Sequence, residues 1–453
     1  MSELIARSNK VAVIGMGETG LSVARYLTRQ NRNFIMLDTR MAPPNLSKFV
    51  AEFPQQPYEL GPLAEATLTA VDSVVVSPGI KLPESLRGRV EDQKIPIVGD
   101  IQLFADAAAA PIVAITGSNA KSTVTTLVGE MARHDGLRVA VGGNLSPPAL
   151  ELLSDQSLEP AELYVLELSS FQLETTQHLP TVVAAILNVS EDHMDRYASM
   201  AEYHAAKQRI HRHAKTVVVN RDDPLTQPLP RQEQKVVSFG LDQPDLNQFG
   251  LREHNGETYL AFGLKNLMPV NELKIPGKHN AANALAALAI GHCIGLSLEV
   301  MLLALREFRG LRHRCEWVAT INGVDFINDS KGTNVGATLA ALNGLASPQH
   351  KIVLIAGGDG KGADFSPLSN AIRDNVRTLI AIGKDGNQFA DIARQVSVPV
   401  VNAVSMQDAV VRAQIAAQRG DAVLLSPACA SFDMFESYVD RGQQFAQAVK
   451  GLR

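Results

Sequence analysis

The stretch 115–127, "ITGSNAKSTVTTL", sets a lysine and hydroxyl side chains in a short polar turn between an apolar run and a helix-forming run. Those are the parts of a phosphate site. Backbone N–H groups and a helix dipole meet an anion, Lys121 adds a cation, and Ser122 or Thr123 offers a hydroxyl to Mg²⁺. The spacing departs from the G-x-x-x-x-G-K-[ST] cradle. Only Ser118, Asn119 and Ala120 separate Gly117 from Lys121. On these residues alone, a phosphate loop and a plain helix cap both stay open.

Gly15, Gly17 and Gly20 follow the apolar run "KVAVI" in a G-x-G-x-x-G pattern, and Asp38 lies 18 residues beyond Gly20. The spacing fits a dinucleotide fingerprint, with a tight turn that binds nothing as the alternative. Thr39 and Arg40 fit a nicotinamide cofactor less well, since the arginine would suit a phosphate.

"YVLELSSFQLE" puts Glu167 at a strand end, followed by Ser169, Ser170 and Gln172, and "AILNVSEDHMDRY" ends another strand with Asn188, Asp192, His193 and Asp195. Ligands of wound sheets gather at such ends, where an acid and a histidine would hold a hard metal beside phosphates. Lys207, in the amphipathic run "SMAEYHAAKQRIHRHAK", reads as a solvated surface lysine, and "NRDDP" as a turn. Nearer the C-terminus three polar loops follow apolar strands. They carry Asp329, Ser330, Lys331, Thr333 and Asn334; then Gly357 to Lys361; then Ser426, Cys429, Ser431 and Phe432. Three such loops suggest a face that receives an anionic substrate.

The elements that must hold these residues alternate: a short β-branched run, a glycine-bearing turn, a helical segment. That is the α/β pattern. Strands are predicted at "KVAVIG", "SVVVSPG", "PIVAITG", "LYVLEL", "TVVAAILNV", "KTVVVN", "KIVLIAGG", "TLIAIG" and "AVLLSP". The alternation restarts near Asp100 and near Gly310, which predicts three domains over 1–99, 100–310 and 311–453. With 453 residues, 45% hydrophobic content and a net charge of −5, the chain reads as a globular protein without a nucleic-acid footprint. Cys293, Cys315 and Cys429 are far apart and odd in number, which fits a reducing cytosol rather than a disulfide framework or zinc cluster. The run "MSELIARSNKVAVIG" has too short an apolar stretch for a signal peptide. The apolar segment 281–305 is long enough for a membrane span. Asn283, His292, Glu299 and the "GLS" break at 295–297 instead predict two buried helices.

Taken together, "GSNAKST", "LELSSFQLE", "NVSEDHMDRY", "YHAAKQRI", "GKHNAANALAA", "LRHRCE", "NDSKGTN", "GGDGKGADF" and "SPACASFDMF" resemble, in order and over essentially the whole chain, the Mur ligases. "GGDGKGADF" and "SPACASFDMF" are similar to the branch that adds D-glutamate. The resemblance implies a Rossmann-like N-terminal domain, a central P-loop-type ATPase domain with a mainly parallel sheet, and a Rossmann-like C-terminal domain. It implies a cytoplasmic, monomeric, ATP-dependent ligase that joins D-glutamate to UDP-N-acetylmuramoyl-L-alanine through an acyl phosphate. A sister ligase, a nicotinamide oxidoreductase and a nucleotide-dependent switch are the competing readings.

The same resemblance assigns residues. Gly117, Ser118, Asn119, Ala120, Lys121, Ser122 and Thr123 would hold phosphates, with Asn280 and Asn283 at adenine and Arg314 and Asp329 at phosphate and ribose. Ser122 and Glu167 would bind one Mg²⁺, and His193 and a carbamylated Lys207 the second, which reverses the surface reading of that lysine. Gly17, Thr19, Thr39, Arg40, Ser77 and Gly79 would take the uridine diphosphate, and Asn144 and Ser169 the muramoyl chain. Lys331, Thr333, Lys361, Ser431 and Phe432 would take D-glutamate. Ala120 stands where the family's short loop has glycine, and a left-handed alanine would cost about 1 kcal/mol or more. Ala120 is therefore expected in a right-handed conformation. Three domains on single linkers are expected to open and close around ligands.

Overall fold

The computed structural model describes residues 10–153, 159–229, 234–275, 277–345 and 350–452. The reading of the extreme N-terminus falls partly on residues 1–9, outside the described residues.

Three sheets form, and all nine predicted strands are found in them. The first has five parallel strands in the order Tyr58–Leu60, Asn33–Asp38, Lys10–Ile14, Ser73–Val76, Ile97–Val98. The strand Ile112–Thr116 sits inside a nine-stranded sheet, between Leu163–Glu167 and Thr181–Ile186 and parallel to both. That sheet extends through Ala214–Asn220 and Lys235–Phe239 and ends in two antiparallel pairings, which join Gln248–His254, Glu257–Phe262 and Lys265–Pro269. The third sheet is parallel except for the edge strand Glu316–Ile321, which pairs antiparallel with Val324–Asn328.

Central strands such as Ile112–Thr116 and Ile352–Ala356 are buried along their whole length. Strands covered on both faces by helices have no solvent face, so their sequence is continuously apolar rather than alternating. The apolar segment 281–305 folds as predicted into two helices, Lys278–Cys293 and Leu298–Glu307, with Gly295 at φ +81° in the break. The first is buried from Ala284 through Gly291 and packs on the helix Lys121–His134. No helix among the described residues is long and apolar enough to cross a membrane. One apolar cluster joins Val11, Val13 and Leu21 of the first sheet's unit to Ile101, Phe104 and Ala114. The first two units therefore share a packed seam.

Candidate active site

The strand order of the central sheet reverses at Ile112–Thr116, which places the loop after it between the loops following Glu167 and Ile186. A wound sheet opens a crevice at such a point. The loop N–H groups of Ser118 and Asn119 donate to the carbonyl and side-chain oxygens of Asn188, at 2.9 and 2.8 Å. The Ser118 hydroxyl donates to the Ser190 carbonyl at 2.8 Å and accepts from its N–H at 2.9 Å. The first loop donors thus anchor the loop, and the start of the helix Lys121–His134, which has no side-chain cap, is the part that could face an anion.

Ala120, expected right-handed, is instead left-handed at φ +66°, ψ −6°. Asn188 fixes the backbone of Ser118 and Asn119, and the helix begins at Lys121. The change of direction has to fall on Ala120.

Lys121 Nζ donates to the carbonyls of Gly117 and Ser118 at 2.7 and 2.9 Å. Lys207 Nζ reaches the same Gly117 carbonyl at 2.9 Å and lies 4.5 Å from the centre of the Tyr203 ring. Two amines thus converge on one oxygen. Lys207 is 1% exposed, so the surface reading drawn from its helix pattern is corrected. The amphipathic pattern was misleading because this helix also packs against the loop 117–120. Burial, and then the charge of Lys121, push the Lys207 ammonium well below the ordinary lysine range, with Asp192 and Glu167 opposing. Burial also lowers Lys121.

Glu167 is 2% exposed. Its Oε1 accepts from Asn144 Nδ2 at 2.5 Å, while Oε2 is buried with no hydrogen-bond partner among the described residues. An unpaired buried carboxylate oxygen is costly, and a cation would satisfy it. His193 is lowered by burial, against the pull of Asp192 3.8 Å away, so its imidazole favours the neutral form that ligates metals. The Ser122 hydroxyl accepts from Arg314 Nη2 at 2.7 Å, which leaves one of its two lone pairs. No group of three or more His, Cys, Asp or Glu side chains gathers as a metal site among the described residues. The donors present suit a hard cation that keeps much of its water, as Mg²⁺ does.

Lys121, Glu167, His193, Lys207, Asn144, Ser169, Arg314, Lys331, Thr333 and Lys361 all line one cavity of about 660 Å³. Two neighbouring clefts share residues with it. One, about 400 Å³, takes in Asn119, Ala120, Thr123, Asn280, Asn283, Arg314, Asp329 and Lys331. The other, about 620 Å³, takes in Gly17, Thr19, Thr39, Arg40, Ser77, Gly79 and Asn144. Ser431 is buried but outside these linings, and Phe432 is 72% exposed and also outside them.

Asp38, buried next to Thr39 and Arg40 of the N-terminal cleft, has its carboxylate fully engaged. It accepts from the Met16 N–H at 2.7 Å and from Arg40 Nε and Nη2 at 2.8 and 2.7 Å. The acidic residue that a dinucleotide fingerprint offers to a ribose is therefore taken. Gly20 packs against the preceding turn so closely that a Cβ would meet the Gly15 carbonyl at 1.7 Å. That explains the third glycine without a cofactor.

The C-terminal unit reaches the cavity through Arg314 on Ser122 and Asn334 Nδ2 on Asp192 Oδ2 at 3.0 Å. Asp329 is pushed up to about 6 by burial, opposed first by the Ser426 hydroxyl. Lys331 is pushed down to about 8 by burial and lies 3.8 Å from the centre of the Tyr438 ring. Arg441 is 1% exposed and donates to the carbonyls of Ser330, Cys429 and Ala430, tying two of the polar loops together.

Gln172, named with the polar residues after Glu167, forms a capping box with Ser169 and lines the N-terminal cleft. Two other residues escaped the sequence reading. Tyr203, four residues before Lys207, shares its helix face. Arg441 gave no local signal.

Family models match in sequence along the chain: the Mur ligase MurD-like N-terminal domain at 9–99, the Mur ligase middle domain at 115–291 and the Mur ligase glutamate ligase domain at 313–429. The chain belongs to the Mur ligase family. It is 53% identical to the UDP-N-acetylmuramoylalanine–D-glutamate ligase of Pseudomonas fluorescens, over 99% of both chains. It is 52% identical, over the same share of each, to the protein of that name from Pseudomonas aeruginosa. Among solved structures, the UDP-N-acetylmuramate-alanine ligase of Thermotoga maritima shares the fold at a TM-score of 0.62 and 20% identity, covering 98% of this chain and 100% of that one. The MurF ligase of Thermotoga maritima in complex with ADP gives a TM-score of 0.62 at 15% identity over 100% of both chains.

Proposed function

We propose that this chain is an ATP-dependent ligase of peptidoglycan precursor synthesis that joins D-glutamate to the alanyl carboxylate of UDP-N-acetylmuramoyl-L-alanine, releasing ADP and phosphate. One observation carries the reading: the cavity holding Lys121, Glu167 and Lys207 shares Asn144 with the N-terminal cleft and Arg314 and Lys331 with the cleft of Asn280 and Asn283. Three substrates can then meet at one point. The 53% identity to a relative named for this reaction supports the same assignment.

A carboxylate is a poor electrophile because its oxygen leaves badly. In the reaction proposed, a carboxylate oxygen attacks the γ-phosphorus of ATP, the bond to the β-phosphate oxygen breaks, and ADP leaves. The amine of D-glutamate then attacks the acyl phosphate, sheds a proton, and phosphate departs from the tetrahedral intermediate. Lys121 and the helix start would hold the β- and γ-phosphates, where preorganised positive charge acts most strongly. Arg314 and Asp329 would hold phosphate and ribose, and Asn280 and Asn283 the adenine. Thr19, Thr39, Arg40, Ser77 and Gly79 would hold the uridine diphosphate, and Asn144 and Ser169 the muramoyl chain. Lys331, Thr333 and Lys361 would pair with the carboxylates of D-glutamate, and Ser431 and Phe432 would join them on domain closure.

Mg²⁺, held by Glu167 Oε2 and the Ser122 hydroxyl, with a second ion at His193 and Lys207, would neutralise the triphosphate and the developing phosphoryl charge. As an ammonium Lys207 would repel that ion. Its buried amine, held well below the ordinary lysine range by burial, is suited to add CO₂, forming an N–C bond and releasing a proton, which yields an anionic carbamate. The free state of Cys293, Cys315 and Cys429 suits a reducing cytoplasm. We take the working enzyme as a monomer with domain boundaries near residues 99 and 310.

The test is phosphate release from ATP with UDP-N-acetylmuramoyl-L-alanine and Mg²⁺, comparing D-glutamate, L-glutamate and no amino acid. Release that needs D-glutamate is expected; equal release with L-glutamate, or none at all, would overturn the reading.

A further inference from the structure

Trp317 is the chain's one tryptophan, and it is 60% exposed on the edge strand Glu316–Ile321. Its indole is nonetheless held in place. Nε1 donates to Thr320 Oγ1 at 3.3 Å and to Asp325 Oδ1 at 3.4 Å, and Thr320 Oγ1 donates to the same carboxylate oxygen at 2.5 Å. The polar edge of the ring is thus tied down while much of its surface stays open.

Strand alternation sets the direction of that surface. Trp317 pairs with Ile327 across the antiparallel ladder, Asp325 is two residues before Ile327 on its strand, and Cys315 immediately precedes the strand that carries Trp317. All four line the cleft of about 400 Å³ that also takes in Asn283 and Asp329. The cleft's other large aromatic, Phe239, is 2% exposed and lies in the apolar core. Trp317 therefore presents the accessible large aromatic surface of a cleft that begins at the phosphate loop.

We propose that Trp317 is a stacking wall for the base of the bound nucleotide, a positioning contact additional to Asn280 and Asn283. This rests on the reading that ATP occupies that cleft. Stacking of a base on an aromatic side chain accepts any purine face, so Trp317 would add affinity while the asparagine amides add selectivity.

The chain's one tryptophan makes the experiment direct. Titration of the intact protein with ADP should change its intrinsic fluorescence saturably. Trp317→Ala should raise the KM for ATP about tenfold, the lower part of the range for loss of one base-stacking contact. Its kcat and its KM for D-glutamate should stay within about twofold, and Trp317→Phe should restore most of the ATP affinity. A merely structural role would lower kcat or shift every KM together, and would overturn the proposal. So would an unchanged KM for ATP in Trp317→Ala. If Asn283→Ala raises that KM while Trp317→Ala does not, the cleft reading stands and the stacking wall falls. If neither substitution moves it, both fail.

Discussion

The left-handed alanine of the phosphate loop offers a sharp test. An L-residue in the left-handed region costs about 1–2 kcal/mol, from the close approach of Cβ to the following carbonyl oxygen. Ala120 sits there at φ +66°. Ala120→Gly removes that penalty. It also loosens the unfolded chain, which returns about 0.4–1 kcal/mol. The position is moreover the helix N-cap, where glycine is preferred to alanine. The net expectation is a gain of about 0.5–1 kcal/mol. For a unit of roughly 200 residues that raises the melting midpoint by about 1–4 °C. Ala120→Val, β-branched at the same φ, should lower it by a similar amount. Scanning calorimetry without nucleotide, following the transition of the middle domain, reads both. A midpoint that falls with glycine and holds with valine would refute the left-handed assignment. The KM for ATP should stay within about twofold in Ala120→Gly, because the anchoring bonds of Ser118 and Asn119 to Asn188 do not involve residue 120.

Further outcomes follow from the same geometry. Lys207→Ala should reduce turnover by at least about a hundredfold, since it removes a group that a cation would need, and short carboxylic acids should restore part of the rate; unimpaired turnover would exclude the carbamate. Glu167→Gln keeps the volume but replaces a carboxylate whose Oε2 has no hydrogen-bond partner among the described residues, so the Mg²⁺ concentration for half-maximal rate should rise at least about tenfold, measured by phosphate release. Lys331, lowered to about 8 by burial, is charged below that pH and neutral above it. If its ammonium holds glutamate, the KM for D-glutamate should rise about tenfold per pH unit above about 8 and stay flat below it, and Lys331→Arg should abolish the rise. The same lowered pKa works against stability below about 8, and that penalty fades as pH climbs toward the ordinary lysine value.

The sequence alone determined what local chemistry dictates. Apolar β-branched runs have one favourable fate in an α/β chain, so the nine predicted strands and the helix pair across 281–305 followed from residue type. The glycine-bearing turns and the strand-end polar loops were legible for the same reason, as was the family. Long-range contact decided the rest. Only the reversal of strand order around Ile112–Thr116 brings Lys121, Glu167 and Lys207, distant in sequence, into one cavity. Only packing turns Lys207 from a solvated amine into a buried one, because its helix face meets the phosphate loop rather than water. The Arg40–Asp38 pairing, the Arg441 tie between two loops and the outward position of Phe432 likewise depend on which surfaces meet. Ala120 marks the boundary: its residue type argued for a right-handed turn, and the anchored loop overrode it, since several tertiary hydrogen bonds outweigh about 1–2 kcal/mol of backbone strain.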